Sequence, residues 1–298
     1  MSREEAARIE AMIAARPAAA TLAERRAGFE AMAARFPIPD DVDIEEATFG
    51  GVPGRWVSAA GADRDRLLLW LHGGAFTVGS STSYTELCAR LSVASSMRVA
   101  CIDYRLSPEN VYPAALDDAE AAWQALTEDS ADTMMLGGDS CGGNLAVALT
   151  QRLVASRDRV PAALYLVSPY LDLTHSGDSV ASRADLDAFV RPEGMPGTAK
   201  VYVGDASPTE PGASPLFGSV EGFPPVLTHV GSREVLFDDA ARLHAKLGEA
   251  SIENDLVEWE GMLHVFPFFG PMLEEGRNAT AKAGAWLRDR AGGTTPRA

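Results

Sequence analysis

In Gly138-Asp139-Ser140-Cys141-Gly142 a serine stands between two glycines at the spacing G-x-S-x-G, and the chemistry open to such a serine is nucleophilic. An apolar run ends at Leu136 and a helix-compatible run begins near Asn144, so Ser140 falls on a strand-to-helix turn that would lift its Oγ into a cleft above a sheet. Side chains at positions 138 and 142 would collide where strand and helix pass closely, and Ser140 must accept a strained backbone to make the turn. The first amides of a helix lack intrahelical partners, which lets the Cys141 N–H face a developing oxyanion. Alone, the pentapeptide also fits an ordinary packing turn or a phosphate-binding turn. The groups that accompany it decide.

An acyl-transfer site needs further oxyanion donors and, later in the chain, an acid and then a histidine. Leu71-His72-Gly73-Gly74-Ala75-Phe76 offers the donors, because two glycines directly after a buried strand let the backbone approach a ligand and aim N–H groups at it. His72 precedes the serine and is expected to shape this loop by hydrogen bonding. Gly231-Ser232-Arg233-Glu234-Val235-Leu236-Phe237-Asp238-Asp239 offers three acids, Glu234, Asp238 and Asp239. Position favours Glu234, which follows a strand pattern closely; Asp238 precedes a helical pattern, where its carboxylate can accept unpaired N–H groups. His264 stands after the last strand pattern and is the expected base. His229 lies within a strand pattern, His244 on a helix and His175 in an irregular segment, and each is expected to be structural or at the surface.

The elements that must position these groups alternate. Short apolar runs at 67–71, 99–104, 133–136, 162–167, 226–230 and 255–259 are separated mostly by helical patterns near 84–95, 114–126, 145–155, 239–247 and 272–290, which predicts an α/β fold with a mostly parallel central sheet and helices on both faces. Binding groups then belong at the carboxyl ends of the strands. Residues 1–36 predict two short helices broken at Pro17, and the acidic run Asp40–Glu46 marks a boundary before a strand pair at 47–60. The Pro-, Gly- and Ser-rich interval 172–223 interrupts the alternation, with only 184–190 and 199–203 regular, and reads as a lid-like insertion.

A chain of 298 residues can bury one large core. The 26 Lys plus Arg against 42 Asp plus Glu, a formal charge of −16, argue against nucleic acid or an anionic membrane surface as partner. The polar start and the absence of a long apolar run predict a cytoplasmic protein. Cys88, Cys101 and Cys141 are too scattered for a disulfide framework or a zinc site, so no metal and no cofactor is expected.

His72-Gly73-Gly74, Asp103-Tyr104-Arg105-Leu106-Ser107-Pro108-Glu109, Gly138 to Asn144 and Glu234 to Asp238 together resemble the bacterial hormone-sensitive-lipase-like esterases of the α/β-hydrolase fold, in family order and over most of the core. The resemblance implies a carboxylic ester hydrolase with Ser140 as nucleophile, His264 as acid/base and Glu234 as orienting carboxylate. It implies an oxyanion hole from the amides of Gly73, Gly74, Ala75 and Cys141. It also implies a helical cap, from residues 1–40 and part of the insertion, over a core at 41–298. Three positions depart from the family pattern. Ala75 replaces a third glycine, Cys141 replaces an alanine as a small packing residue, with oxidation left open by its place at a helix start, and Glu234 stands where aspartate is commoner. Arg105 and Glu109 are expected to pair and fix their loop, and the sequon Asn278-Ala279-Thr280 is expected to be coincidental. A small-molecule ester is the expected partner, acting on short-to-medium acyl chains, with a homo-oligomer left open. Lactone hydrolysis, amide deacetylation and a catalytically silent binding protein are the competing readings of the same residues.

Overall fold

The computed structural model describes residues 2–15, 20–128 and 133–292. Two helices lead, α1 (Ser2–Ala14) and α2 (Leu22–Ala33); the break expected at Pro17 lies outside the described residues. Helix α2 starts on a capping box, in which Thr21 Oγ1 accepts the Glu24 N–H at 3.2 Å and Glu24 Oε2 accepts the Thr21 N–H at 3.0 Å. A hairpin follows, β1 (Val42–Phe49) paired antiparallel with β2 (Val52–Ala59). The acidic run expected to be a boundary is therefore mostly strand. On an edge strand the charged side chains extend into water while the backbone pairs, and Glu46 faces Arg55 directly across the ladder.

The alternation expected from the sequence then runs its course: β3 (Asp63–Leu71), α3 (Thr85–Ser95), β4 (Met97–Ile102), α4 (Ala114–Glu128), β5 (Thr133–Asp139), α5 (Cys141–Ser156) and β6 (Leu164–Val167). After an irregular stretch containing α6 (Ser179–Ser182) and α7 (Met195–Val203) come β7 (Val226–Gly231), α8 (Phe237–Glu249), β8 (Asn254–Trp259) and α9 (Glu274–Ala291). The strands form one sheet in the order β1-β2-β4-β3-β5-β6-β7-β8, parallel from β4 to β8 and antiparallel only at the β1–β2–β4 side. Strand β3 shows why the sequence looks continuously apolar here. Leu67, Leu69 and Leu71 join the core beneath α4 and α5, whereas Leu68 and Trp70 join the opposite core beneath α3 and α9, so both faces exclude water.

The β5–α5 junction is the tightest point of the fold. Ser140 alone separates strand from helix, with φ 51° and ψ −120°, and a Cβ placed on Gly142 would stand 1.9 Å from the Leu71 carbonyl oxygen. Helix α5 thus begins directly against the carboxyl end of β3.

Segment 172–223 is less detached than its composition suggests, because Leu173, Tyr202, Ala213 and Leu216 are buried in the α5-side core. Residues 184–190, expected to be regular, run as turns. The buried Asp187 carboxylate explains this: it accepts the Phe189 and Val190 N–H groups at 2.8 and 2.9 Å, offering the backbone an alternative to helix or strand. Residues 199–203 are the C-terminal part of α7. At the amino end, Phe29 and Phe36 pack on Phe268 with ring centroids 5.8 and 5.5 Å apart. Among the described residues no helix is long and apolar enough to cross a membrane.

Two glycine substitutions test this packing in opposite directions. Gly142→Ala should lower the unfolding free energy by about 3 kcal/mol, read as a fall in urea midpoint at unchanged m-value. Gly28→Ala, in the interior of α2 with nothing within 4 Å of the new Cβ, should raise stability by about 0.5–1 kcal/mol.

Candidate active site

Three loops at the carboxyl ends of parallel strands bring Ser140, Glu234 and His264 together. Ser140 Oγ lies 3.0 Å from His264 Nε2, and His264 Nδ1 lies 2.9 Å from Glu234 Oε2. A carboxylate only accepts, so Nδ1 carries the imidazole proton and Nε2 is left to accept from the serine hydroxyl. Glu234 Oε1 is held by the Gly231 N–H at 2.5 Å and the Ser168 Oγ–H at 2.7 Å. The same Ser168 Oγ accepts the Val265 N–H at 3.0 Å, so one hydroxyl ties the acid loop to the histidine loop.

Burial sets the electrostatics. Glu234 is fully buried, which raises its pKa, and the hydrogen bonds and charge of its partners only partly oppose this. For His264 burial lowers the pKa, but the hydrogen bond and negative charge of Glu234 outweigh it, and the net shift is upward. Asp139, beside the serine, is pushed up to about 7 by burial. Its Oδ1 accepts the Gly73 N–H at 3.0 Å and its Oδ2 the Tyr84 hydroxyl at 2.7 Å.

That bond changes the expected set of oxyanion donors. The Gly73 N–H already donates to Asp139, which makes it a weaker candidate donor than an amide without an acceptor. The Gly74 and Cys141 amides have no acceptor among the described residues, and Gly74, Ala75 and Ser140 all line one cavity of about 1100 Å³. Ala75 adopts φ 55° and Phe76 φ 58°, the left-handed region for which the family's glycine is suited. The Cys141 thiol is not a reactive thiolate. Burial raises its pKa to about 12, which outweighs the effect of its place at a helix start.

The cavity opens above Ser140. Its apolar walls come from α2 (Phe29), the insertion (Phe189, Val190, Met195), Val78 and the turn after His264 (Phe268, Phe269). Of the apolar residues on α2, Phe29 reaches the cavity, while Met32 does not line it. Among the described residues no group of three or more His, Cys, Asp or Glu is arranged to hold a metal ion.

The remaining candidates are placed elsewhere. His72 is buried, stacks on Tyr104 with centroids 4.2 Å apart, and its Nδ1 lies 2.7 Å from the Gly73 carbonyl oxygen. His229 is buried in β7 with Nδ1 3.2 Å from the Tyr165 hydroxyl, and His175 lies 2.5 Å from the Tyr170 hydroxyl. His244 sits on α8. Asp238 accepts the Ser179 N–H at 2.8 Å, so it meets the start of α6 in the insertion and not the amides of its own helix. Asp239 accepts the Leu171 N–H at 2.7 Å. The expected Arg105–Glu109 pair does not form: Arg105 bonds Asp118 at 2.8 Å, and Glu109 takes both ends of the Arg26 guanidinium from α2, at 2.8 and 2.7 Å. Sequence proximity suggested the first partner; the helix laid across the loop supplies the second. Thr280 of the sequon is buried on α9 and accepts from Arg90.

Sequence reasoning missed Ser168, Asp187 and the role of Asp139. Ser168 had a usable signal, a hydroxyl directly after strand β6. Asp187 had none, since its acceptor role toward Val235 N–H at 3.0 Å spans 48 positions.

Comparison with known proteins shows the family of the chain. A family described as alpha/beta hydrolase fold matches residues 68–268. An acetyl-hydrolase of Streptomyces hygroscopicus is 38% identical over 256 residues, covering 85% of this chain and 84% of the relative. An esterase of Acinetobacter venetianus is 36% identical over 249 residues, covering 83% and 82%. The crystal structure of an esterase from the bacterial hormone-sensitive lipase family superposes with a TM-score of 0.94 at 37% identity, covering 97% of this chain and 99% of that one. With sequence likeness spanning the strand ends that carry the site, and a backbone likeness spanning nearly the whole chain, this protein belongs to the α/β-hydrolase fold family and, within it, to the bacterial hormone-sensitive-lipase-like esterases.

Proposed function

We propose that this protein hydrolyses carboxylic esters of short-to-medium acyl chains through a Ser140–His264–Glu234 triad and a covalent acyl-enzyme. The observation that carries the reading is the continuous hydrogen-bonded chain from Ser140 Oγ through His264 to buried Glu234, at the base of a mostly apolar cavity. His264 Nε2 takes the serine proton as Oγ adds to the ester carbonyl carbon, and the displaced carbonyl electron pair collects on oxygen. The Gly74, Ala75 and Cys141 amides receive that oxyanion. Collapse breaks the bond to the alkoxy oxygen, which leaves as alcohol with the proton from His264. Water then attacks the acyl-enzyme with His264 again as base, releasing the acid and restoring the Ser140 hydroxyl. Glu234 keeps the imidazole in the tautomer that accepts at Nε2 and stabilises the imidazolium.

Segments 1–40 and the 189–198 part of the insertion act as the cap in this reading, since both contribute walls of the cavity. The names of the relatives, acetyl-hydrolase and esterase, support esters as substrates.

Ser140 should be the residue labelled by a fluorophosphonate probe, and Ser140→Ala should abolish labelling and lower kcat by about 10⁴–10⁶; labelling that persists would move the nucleophile elsewhere. The base must be neutral, and its pKa is raised, so kcat/KM should climb with pH through one titration centred above the 6.5 usual for an imidazole. Glu234→Gln should cut kcat by about 10⁴ and shift the residual activity's midpoint downward, because burial then acts on His264 without the Glu234 charge, the largest charge opposing it. Asp238→Asn should leave kcat unchanged, since an amide oxygen still accepts the Ser179 N–H. On a panel of p-nitrophenyl esters, lactones and anilides, Phe29→Ala should move the optimum toward longer acyl chains; an unchanged profile would remove α2 from the acyl site.

A further inference from the structure

The loop from Gly73 to Phe76 is anchored at both ends by the two side chains that flank the nucleophile. At one end Asp139 Oδ1 accepts the Gly73 N–H at 3.0 Å; at the other, Cys141 Sγ accepts the Phe76 N–H at 3.1 Å. Both groups are buried, Asp139 at 1% and Cys141 at 0% exposure. The Asp139 carboxylate fills the space that a side chain at position 73 would need, because a Cβ on Gly73 would lie 2.2 Å from Asp139 Oδ2 and 2.8 Å from the Tyr84 hydroxyl. Gly73 is thus a glycine for close packing. Between the two anchors lie Gly74 and Ala75, and two successive residues with side chains, Ala75 and Phe76, hold left-handed backbone at φ 55° and 58°. Each such residue carries strain, and something must over-determine the conformation for it to persist.

We propose that Asp139 and Cys141 are positioning residues that clamp the oxyanion loop, and that the Cys141 thiol offsets the strain of a loop with alanine at position 75. This rests on the assignment of Ser140 as nucleophile and of Gly74, Ala75 and Cys141 as oxyanion donors. An alanine at position 141 would keep its own backbone N–H for the oxyanion but would offer the Phe76 amide no acceptor. Phe76 is buried in a stack with Tyr202, 6° from coplanar, so an unpaired amide there has no water to turn to. The loop would relax at its unanchored end, and the donors would drift from the point where charge develops. Because each clamp belongs to a residue adjacent to the serine, the donors are referenced to the nucleophile itself and not to a distant part of the core.

The test separates this clamp from general damage by comparing transition-state with ground-state binding. A trifluoromethyl ketone with a short alkyl chain is the probe: Ser140 Oγ adds to its carbonyl carbon, the serine proton passes to His264, and the carbonyl electron pair becomes an oxyanion in the hole. Its methyl ketone counterpart serves as the ground-state ligand. Cys141→Ala should lower kcat on p-nitrophenyl butyrate and weaken the trifluoromethyl ketone by about 10-fold each, and Asp139→Ala by about 10–100-fold, below the roughly 10²–10³ that loss of a whole oxyanion donor costs, because the donors are displaced and not removed. KM and methyl ketone affinity should stay unchanged. Cys141→Ser and Asp139→Asn, which retain an acceptor, should recover most of the loss. Adding Ala75→Gly to Cys141→Ala should also restore activity, because glycine removes the strain that the thiol offsets. A loss in Cys141→Ala that Ala75→Gly leaves unrepaired, a loss in KM with no change in trifluoromethyl ketone affinity, or full activity without both side chains would overturn the clamp. If Asp139→Ala fails to fold, Asp139→Leu, which fills the same space and offers the Gly73 amide no acceptor, carries the same comparison. Fluorophosphonate labelling of the wild-type enzyme reports on the nucleophile separately: an unlabelled Ser140 defeats the underlying reading, whereas a labelled Ser140 with unaltered variants defeats the clamp alone.

Discussion

Everything at this site depends on a close approach: the start of α5 pressed against the carboxyl end of β3, with a single strained residue between β5 and that helix. Only a residue without a side chain can occupy position 142 there. The contact puts Ser140 next to the loop leaving β3, whose Gly74 amide has no acceptor among the described residues, and beside the unpaired Cys141 amide at the helix start. A helix starting one residue later would carry both sets of donors away from each other. The strain in Ser140 is held by main-chain bonds on either side, its N–H to Val167 at 2.9 Å and its carbonyl oxygen to the Tyr170 N–H at 3.0 Å.

A second constraint comes from carboxylates taken out of water. Glu234, Asp139, Asp187 and Asp239 are all nearly inaccessible, in a chain whose net charge already disfavours more negative charge inside. Each is accounted for by directed donors: one amide and one hydroxyl each for Glu234 and Asp139, with the His264 imidazole also on Glu234, and amides for Asp187 and Asp239. An uncompensated buried carboxylate would be neutralised or expelled. Paired in this way, each becomes a fixed node joining loops from different strand ends. Asp187 links the insertion to the Val235 amide beside Glu234, so the walls of the cavity and the position of Glu234 are not independent.

Helix α2 is held to the core by a mixture of forces. Phe29 and Phe36 supply apolar area against Tyr84, Phe268 and Phe269, and Arg26 adds direction, bonding the Thr77 and Ser107 carbonyls and both oxygens of Glu109. Apolar contact alone is indifferent to rotation about the helix axis. The planar guanidinium, with donors in a fixed fork, is not, and it keeps Phe29 turned toward the cavity.

The order of strands and helices, the strand-to-helix turn at Ser140, and the strand-end positions of Glu234 and His264 were legible in the sequence, because each depends on residues near one another in the chain: short continuous apolar runs, period-3.6 apolar patterns, and glycines at fixed spacing. The acidic run Asp40–Glu46 hid the start of β1 at Val42. Composition reports how water treats side chains, and an edge strand satisfies both water and its ladder. Tertiary structure decided the partners: Arg26 and not Arg105 for Glu109, Asp139 for the Gly73 amide, Ser168 for both Glu234 and Val265, Asp187 for Val235. Those groups lie tens of residues apart, and a hydrogen bond has no range along a sequence. It forms where the parallel sheet happens to bring two loop ends within 3 Å, so which donor meets which acceptor is a property of the packed strand ends and of nothing shorter.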